Sequence, residues 1–120
     1  MPYAALGSKT VDSDYTPQQV AELLKLHTIE LIDVREPHER EAGRIAGSRH
    51  VPLAEISSEA ETINRAQPVV FYCRSGARSA MAAEALASAG WDAHNLAGGL
   101  IDWHAAGLPL DPPDGHVADP

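Results

Sequence analysis

The run Cys73-Arg74-Ser75-Gly76-Ala77-Arg78-Ser79 sets the chain's single cysteine ahead of two arginines, a glycine and two serines. A cysteine reacts as its thiolate, which nearby cations and converging backbone N–H groups favour. Arg74 and Arg78 supply full positive charge, and Gly76 lets the backbone curl so that the amides of residues 74–79 converge on the sulfur. In such surroundings a thiol pKa falls from about 8.5 to roughly 3.5–7.5, so the nucleophile is present at neutral pH. A lone cysteine is more often a small buried hydrophobe. An inert residue of that kind has no use for two guanidinium groups and a glycine just behind it, so Cys73 is read as a reactive thiolate.

The flanking residues place that loop. Val69-Val70-Phe71-Tyr72, after Pro68, is a short apolar, β-branched and aromatic run that predicts a buried strand. Ala80-Met81-Ala82-Ala83-Glu84-Ala85-Leu86-Ala87 is built of strong helix formers and is stopped by Gly90. Cys73 therefore lies where a strand ends and a helix begins, in front of the helix's unpaired N–H groups and positive end.

Around this centre the chain alternates helix and strand. Thr16-Pro17 gives an N-cap with proline at the first helical position, and Val20, Leu23 and Leu24 form an apolar stripe for a helix from Pro17 to Leu26. Ile29–Val34 reads as a strand. Residues 35–52 are charged and punctuated by glycine, with a single helical turn from Pro37 and a short strand near Arg49–Val51. Asp33 and Arg35 draw notice, because parallel-sheet proteins place their sites at strand ends. Leu53–Asn64 reads as a second helix. Asp92–Leu96 is a weaker strand, and Gly98-Gly99 opens a helix with Leu100, Ile101 and a core Trp103, closed by Gly107 and Pro109. The expected fold is α/β, a small parallel sheet with helices on both faces and right-handed crossovers. Residues 1–14 are expected to be a loose lead, 15–110 one domain, and 111–120 a flexible acidic, proline-rich tail with too little apolar content to fold by itself.

The totals narrow the function. At 120 residues, with 44% hydrophobic and 22% charged content, the chain can bury a core without staples or metals. One cysteine excludes an internal disulfide and an internal resolving thiol, so any second sulfur comes from another molecule. No apolar run approaches the eighteen or so residues of a membrane span, and the first residues lack the pattern of a secretory signal, so a cytoplasmic location is expected. A net charge of −8 argues against nucleic acid and anionic membranes as partners. Every Lys and Arg lies at or before Arg78, so positive potential is local to the loop's neighbourhood. None of the six histidines is paired at helical ligand spacing or joined to a second cysteine, and no metal site is assigned.

Three separated patterns together resemble the rhodanese family of sulfurtransferases in its small, single-domain form. The first is Asp33-Val34-Arg35-Glu36 with Glu39, Gly43, Ile45, Gly47 and Pro52; the second is Cys73-Arg74-Ser75-Gly76-Ala77-Arg78; the third is Leu96-Ala97-Gly98-Gly99 with Trp103, Gly107 and Pro109. The resemblance runs from the Thr16 region to Pro109. The family often has an aromatic residue where Arg40 stands and a histidine where Arg44 stands, differences that bear on which substrate approaches the mouth.

What the resemblance implies is a two-step transfer of a sulfane sulfur with no metal or organic cofactor. Cys73 takes the outer sulfur of a small anionic donor such as thiosulfate, holds it as a persulfide, and yields it to cyanide or a thiol. Residues Arg74, Ser75, Gly76, Ala77, Arg78 and Ser79 form the substrate-binding loop, with backbone amides acting like an oxyanion hole. One arginine faces the donor and the other pairs with an acid such as Glu36 or Glu39; Arg78 is expected to turn partly inward and Arg74 to face the substrate. A persulfide relay to a partner protein uses the same Cys73 chemistry. Two other readings are a cysteine phosphatase, whose loop sets its arginine one residue farther from the cysteine and whose strand often carries a histidine where Tyr72 stands, and a non-catalytic binding module, which usually loses the cysteine. A monomer is expected.

Overall fold

The computed structural model describes residues 14–120, so nearly all of the expected loose lead lies outside the described residues. Asp14–Tyr15 form β1. Helix α1, Pro17–Lys25, begins at a reciprocal cap: the Gln19 N–H donates to Thr16 Oγ1 at 3.1 Å and the Thr16 N–H to Gln19 Oε1 at 2.8 Å. Strand β2 is Glu30–Asp33, α2 is Pro37–Ala42 and β3 is Arg49–His50. Helix α3, Ile56–Glu59, is followed by β4, Val69–Tyr72, α4, Ala77–Ser88, β5, Ala93–Leu96, and α5, Gly99–Ala105.

The five strands pair in parallel in the order β1-β5-β4-β2-β3. This is the expected parallel α/β layering, and β4 sits at its middle with all four residues buried. Alternation along β4 feeds two cores. Val69 and Phe71 join Ile32, Val34 and the α4 residues Ala82, Ala83 and Leu86, whereas Val70 and Tyr72 join Val20 of α1, Leu96, and Leu100 and Trp103 of α5. Each such fully buried apolar side chain contributes about 1.5–3 kcal/mol. Trp103 is buried as expected, and its indole N–H donates to Pro109 O at 2.8 Å.

Leu53–Asn64 is not one helix. It is a 3-10 turn over Leu53–Glu55, the single turn α3, and a second 3-10 turn over Ala60–Thr62. Ser58 Oγ donates back to Glu55 O and Thr62 Oγ1 to Glu59 O, so hydroxyls compete with the helical pattern throughout the segment.

The charged segment after β2 is organised from within. Asp33 and Arg35 are both fully buried, joined by Arg35 Nε to Asp33 Oδ1 at 2.8 Å and Arg35 Nη2 to Asp33 Oδ2 at 2.7 Å. Arg35 also donates to Gly43 O at 2.8 Å, and Arg40 donates to Asp33 Oδ2 and to Ser48 O. Burial pushes the Asp33 carboxyl up, but the bonds and charge of Arg35 and Arg40 outweigh it and hold the group below its ordinary value. Asp33, Arg35 and Arg40 thus brace residues 35–48 and are not displayed at the strand ends. Arg44 is spent on Asp111, at 3.6 Å, and on Arg40 O.

Residues 111–120, expected to be a flexible tail, lie against the domain. Arg44 and Asp111 exchange backbone hydrogen bonds, the His116 N–H donates to Ala42 O at 3.0 Å, and Val117 packs against the Trp103 core. A Cβ on Gly43 would come within 2.6 Å of His116 O, so the segment can pass only because residue 43 has no side chain. Backbone pairing of this kind needs no apolar content, which is why composition did not foretell it.

Candidate active site

Cys73 follows the last residue of β4 and is 1% exposed, between the end of β4 and the first turn of α4. Gly76, with φ of 106°, turns the chain into α4 in the left-handed region that an L side chain resists. The turn aims two N–H donors at the sulfur, Gly76 at 3.1 Å and Ser79 at 3.5 Å, and sets the Ser79 hydroxyl 3.3 Å from it.

The loop's carbonyls are held away on the other side. The Leu100 N–H donates to Cys73 O at 2.8 Å and the Ile101 N–H to Arg74 O at 3.0 Å, so the first turn of α5 ties down Cys73 and Arg74 by their oxygens. Gly99 makes this approach possible, since a Cβ there would meet Arg74 O at 2.5 Å and Cys73 O at 2.6 Å. Oxygens outward and N–H groups inward make the curl an anion nest. Burial alone pushes the Cys73 thiol up. The Ser79 hydroxyl when it donates to the sulfur, with the N–H groups of Ser79, Gly76 and Arg78, outweighs that and holds it below its ordinary value.

Of the loop side chains, Ser79 is fully buried beside the sulfur, while Ser75 and Ala77 face outward. Arg78 makes a two-pronged pair with Glu39 of α2, Nη1 to Oε2 at 2.8 Å and Nη2 to Oε1 at 2.9 Å. Glu39 has no exposed surface; burial pushes its carboxyl up, but the bonds from Arg78 and from the Glu36 N–H bring it below the ordinary value. Arg74 is partly exposed, donates through Nε to Ala118 O at 3.1 Å and lies 3.5 Å from the Asp119 carboxylate. His38 makes a 3.0 Å bond to Asp119 O and so helps to seat the same segment. Tyr72 points to the opposite face, where its hydroxyl accepts from the Ile45 N–H at 3.1 Å and contacts Ser48 Oγ at 3.0 Å, so it takes no part at the sulfur.

Asn95 of β5 escaped the sequence reading. It is 7% exposed, and Ser79 Oγ donates to its Oδ1 at 2.6 Å. A polar residue in a strand that is otherwise apolar at alternate positions was the available signal. Among the described residues, no group of three or more His, Cys, Asp or Glu side chains could hold a metal ion, and no helix is long and apolar enough to cross a membrane.

Comparison with known proteins agrees with this geometry. Residues 16–106 match the family model described as a rhodanese-like domain. A protein of Bacillus subtilis (strain 168) named uncharacterized protein YqhL is 41% identical over 75 residues, which are 62% of this chain and 60% of that one. A protein of Allochromatium vinosum named sulfurtransferase is 36% identical over 88% of this chain and 96% of its own length. Among solved structures, a rhodanese-related protein from Thermoplasma volcanium superposes with a TM-score of 0.76 at 30% identity, over 81% of this chain and 95% of that one.

Proposed function

Starting from a chain that belongs to the rhodanese-like family, we propose that it is a sulfurtransferase that carries a sulfane sulfur on Cys73. The Cys73 thiolate attacks the outer sulfur of thiosulfate; a sulfur–sulfur bond forms, the bond to the sulfonate sulfur breaks, and sulfite leaves with the electron pair. A thiol, or cyanide in an assay, then attacks the terminal sulfur and Cys73 departs as the thiolate. The supporting observation is the convergence of Gly76 N–H, Ser79 N–H and Ser79 Oγ on the sulfur. The same cradle that holds a thiolate can hold the persulfide anion, so charge is stabilised both before and after transfer.

The loop divides the remaining work. Arg74, at the rim, attracts the anionic donor and its anionic leaving group, while Arg78, tied to Glu39, fixes the shape of the cradle. Ser75 and Ala77 border the approach. With Cys73 only 1% exposed, a donor must reach it end-on, which favours a small terminal sulfur over a bulky group. Because the chain has no second cysteine, the acceptor is another molecule, and a small thiol or a relay protein in a reducing cytoplasm fits that need.

Incubation with thiosulfate should add the mass of one sulfur atom to the peptide containing Cys73, and Cys73→Ser should abolish both the adduct and thiocyanate formation. Turnover that survives the substitution would remove Cys73 as the nucleophile.

A further inference from the structure

The Ser79 hydroxyl has one hydrogen and two acceptors. Asn95 Oδ1 lies 2.6 Å from Ser79 Oγ and the Cys73 sulfur 3.3 Å from it, so in this arrangement the hydrogen goes to the amide oxygen, at the shorter distance. The hydroxyl's lone pairs then face the sulfur, which suits a neutral thiol and opposes a negative charge. Turning the Asn95 amide end for end reverses the arrangement: Nδ2 donates to Ser79 Oγ, and the hydroxyl hydrogen is released to the sulfur. The pairing of Phe71 with Asn95 across β4 and β5 fixes the Asn95 backbone, and its Nδ2 faces the loop at Gly76, a residue with no side chain. Ser79 is wholly buried, so water cannot stand in for either partner.

We propose that Asn95 is a positioning residue: its amide directs the one Ser79 hydrogen either to Asn95 itself or to the Cys73 sulfur, and so sets how well the cradle holds an anion. An asparagine satisfies the hydroxyl in both states, because it carries a donor and an acceptor on one planar group. An aspartate could only accept, and a leucine could do neither. That the charged sulfur is also a persulfide rests on the sulfur-transfer reading above, but the hydrogen-bond choice concerns any anionic form of Cys73.

The charged groups near this site are Arg74 in the loop and Arg78 of α4, with Glu39 of α2 and Glu36 behind Arg78 and Asp102 of α5 against Gly98. None of these is altered by the substitutions below, so the comparison isolates Asn95 and Ser79.

The test is the pH dependence of Cys73 alkylation by iodoacetamide in the wild type, Asn95→Asp, Asn95→Leu, Ser79→Ala and the Ser79→Ala/Asn95→Asp double variant. Asn95→Asp should raise the midpoint by about one pH unit or more, and most of that rise should vanish when Ser79 is already alanine, leaving only the through-space effect of the new carboxylate. Asn95→Leu should leave the midpoint at or below that of the wild type, because the sulfur becomes the hydroxyl's only acceptor. An equal rise in both backgrounds, or a rise for leucine matching that for aspartate, overturns the proposal. Should a variant not fold, the wild type decides: the Asn95 side-chain amide resonances in proton–nitrogen spectra should follow the Cys73 titration, and resonances that stay fixed through it overturn the proposal as well. No measurement here uses a sulfur donor, so a failed thiosulfate assay and a failed Asn95 assignment are told apart.

Discussion

Arg74 and Arg78 belong to the same short loop, yet one is clamped and the other is only rested against. Arg78 meets both oxygens of Glu39, whose side chain has no exposed surface. Arg74 meets a backbone carbonyl and an Asp119 carboxylate whose side chain is 95% exposed. The two guanidinium groups are chemically identical, so the partner's burial separates their roles. A carboxylate out of reach of water depends on its cation, while one in solvent has little to lose.

Removing each arginine should expose that difference. Arg78→Ala leaves Glu39 buried without its cation and should cost about 3–5 kcal/mol, read as a lowered denaturant midpoint; a loss below 1 kcal/mol would make the two arginines equivalent. Acid sharpens the same contrast. The folded-state pKa of Glu39 is lowered, so its pairing stabilises fully above the ordinary value of 4.5 and is lost as pH falls through the lower folded value. The stability gap between wild type and Arg78→Ala should therefore be widest near neutrality and close on acidification below 4.5; a gap that does not change with pH would deny the pair its electrostatic origin. The smallest structural effect belongs to Arg74→Ala, which should change stability by about 0.5 kcal/mol or less while raising KM for thiosulfate more than for a neutral donor. An equal rise for both donors would return Arg74 to a role in shaping the loop.

The strand–loop–helix around Cys73 could be read from sequence because local signals agree there: a β-branched run, a cysteine, a glycine that needs a positive φ, then alanine-rich helix. The parallel sense of the sheet followed from the alternation of helix and strand, though not the order of its strands. Other features left weaker marks. Gly98-Gly99 reads as the start of a helix, but that Gly99 must lie against the carbonyls of Cys73 and Arg74 is a contact between distant segments. Asn95 looks like an ordinary residue of a weak strand until Ser79 is placed beside it. Asp33 and Arg35 read as a candidate site at a strand end, and Arg40 as a residue near the mouth, because sequence shows charge but not that the charges satisfy one another out of water. The segment 111–120 is attached at its main-chain atoms both by backbone partners and by the distant side chains of His38 and Arg74, which no pattern within the segment announces.

The tying of Cys73 O and Arg74 O to the amides of Leu100 and Ile101 bears on whether this loop is portable. A peptide copied from residues 69–88 would contain every donor that touches the sulfur and lack the anchors that turn the carbonyls aside. Its thiol would behave as an ordinary one. Transplanting the cysteine loop into another scaffold therefore means importing the glycine pair and helix start with it, at matched depth, since the cradle around the sulfur is built by two stretches of chain that meet only after folding.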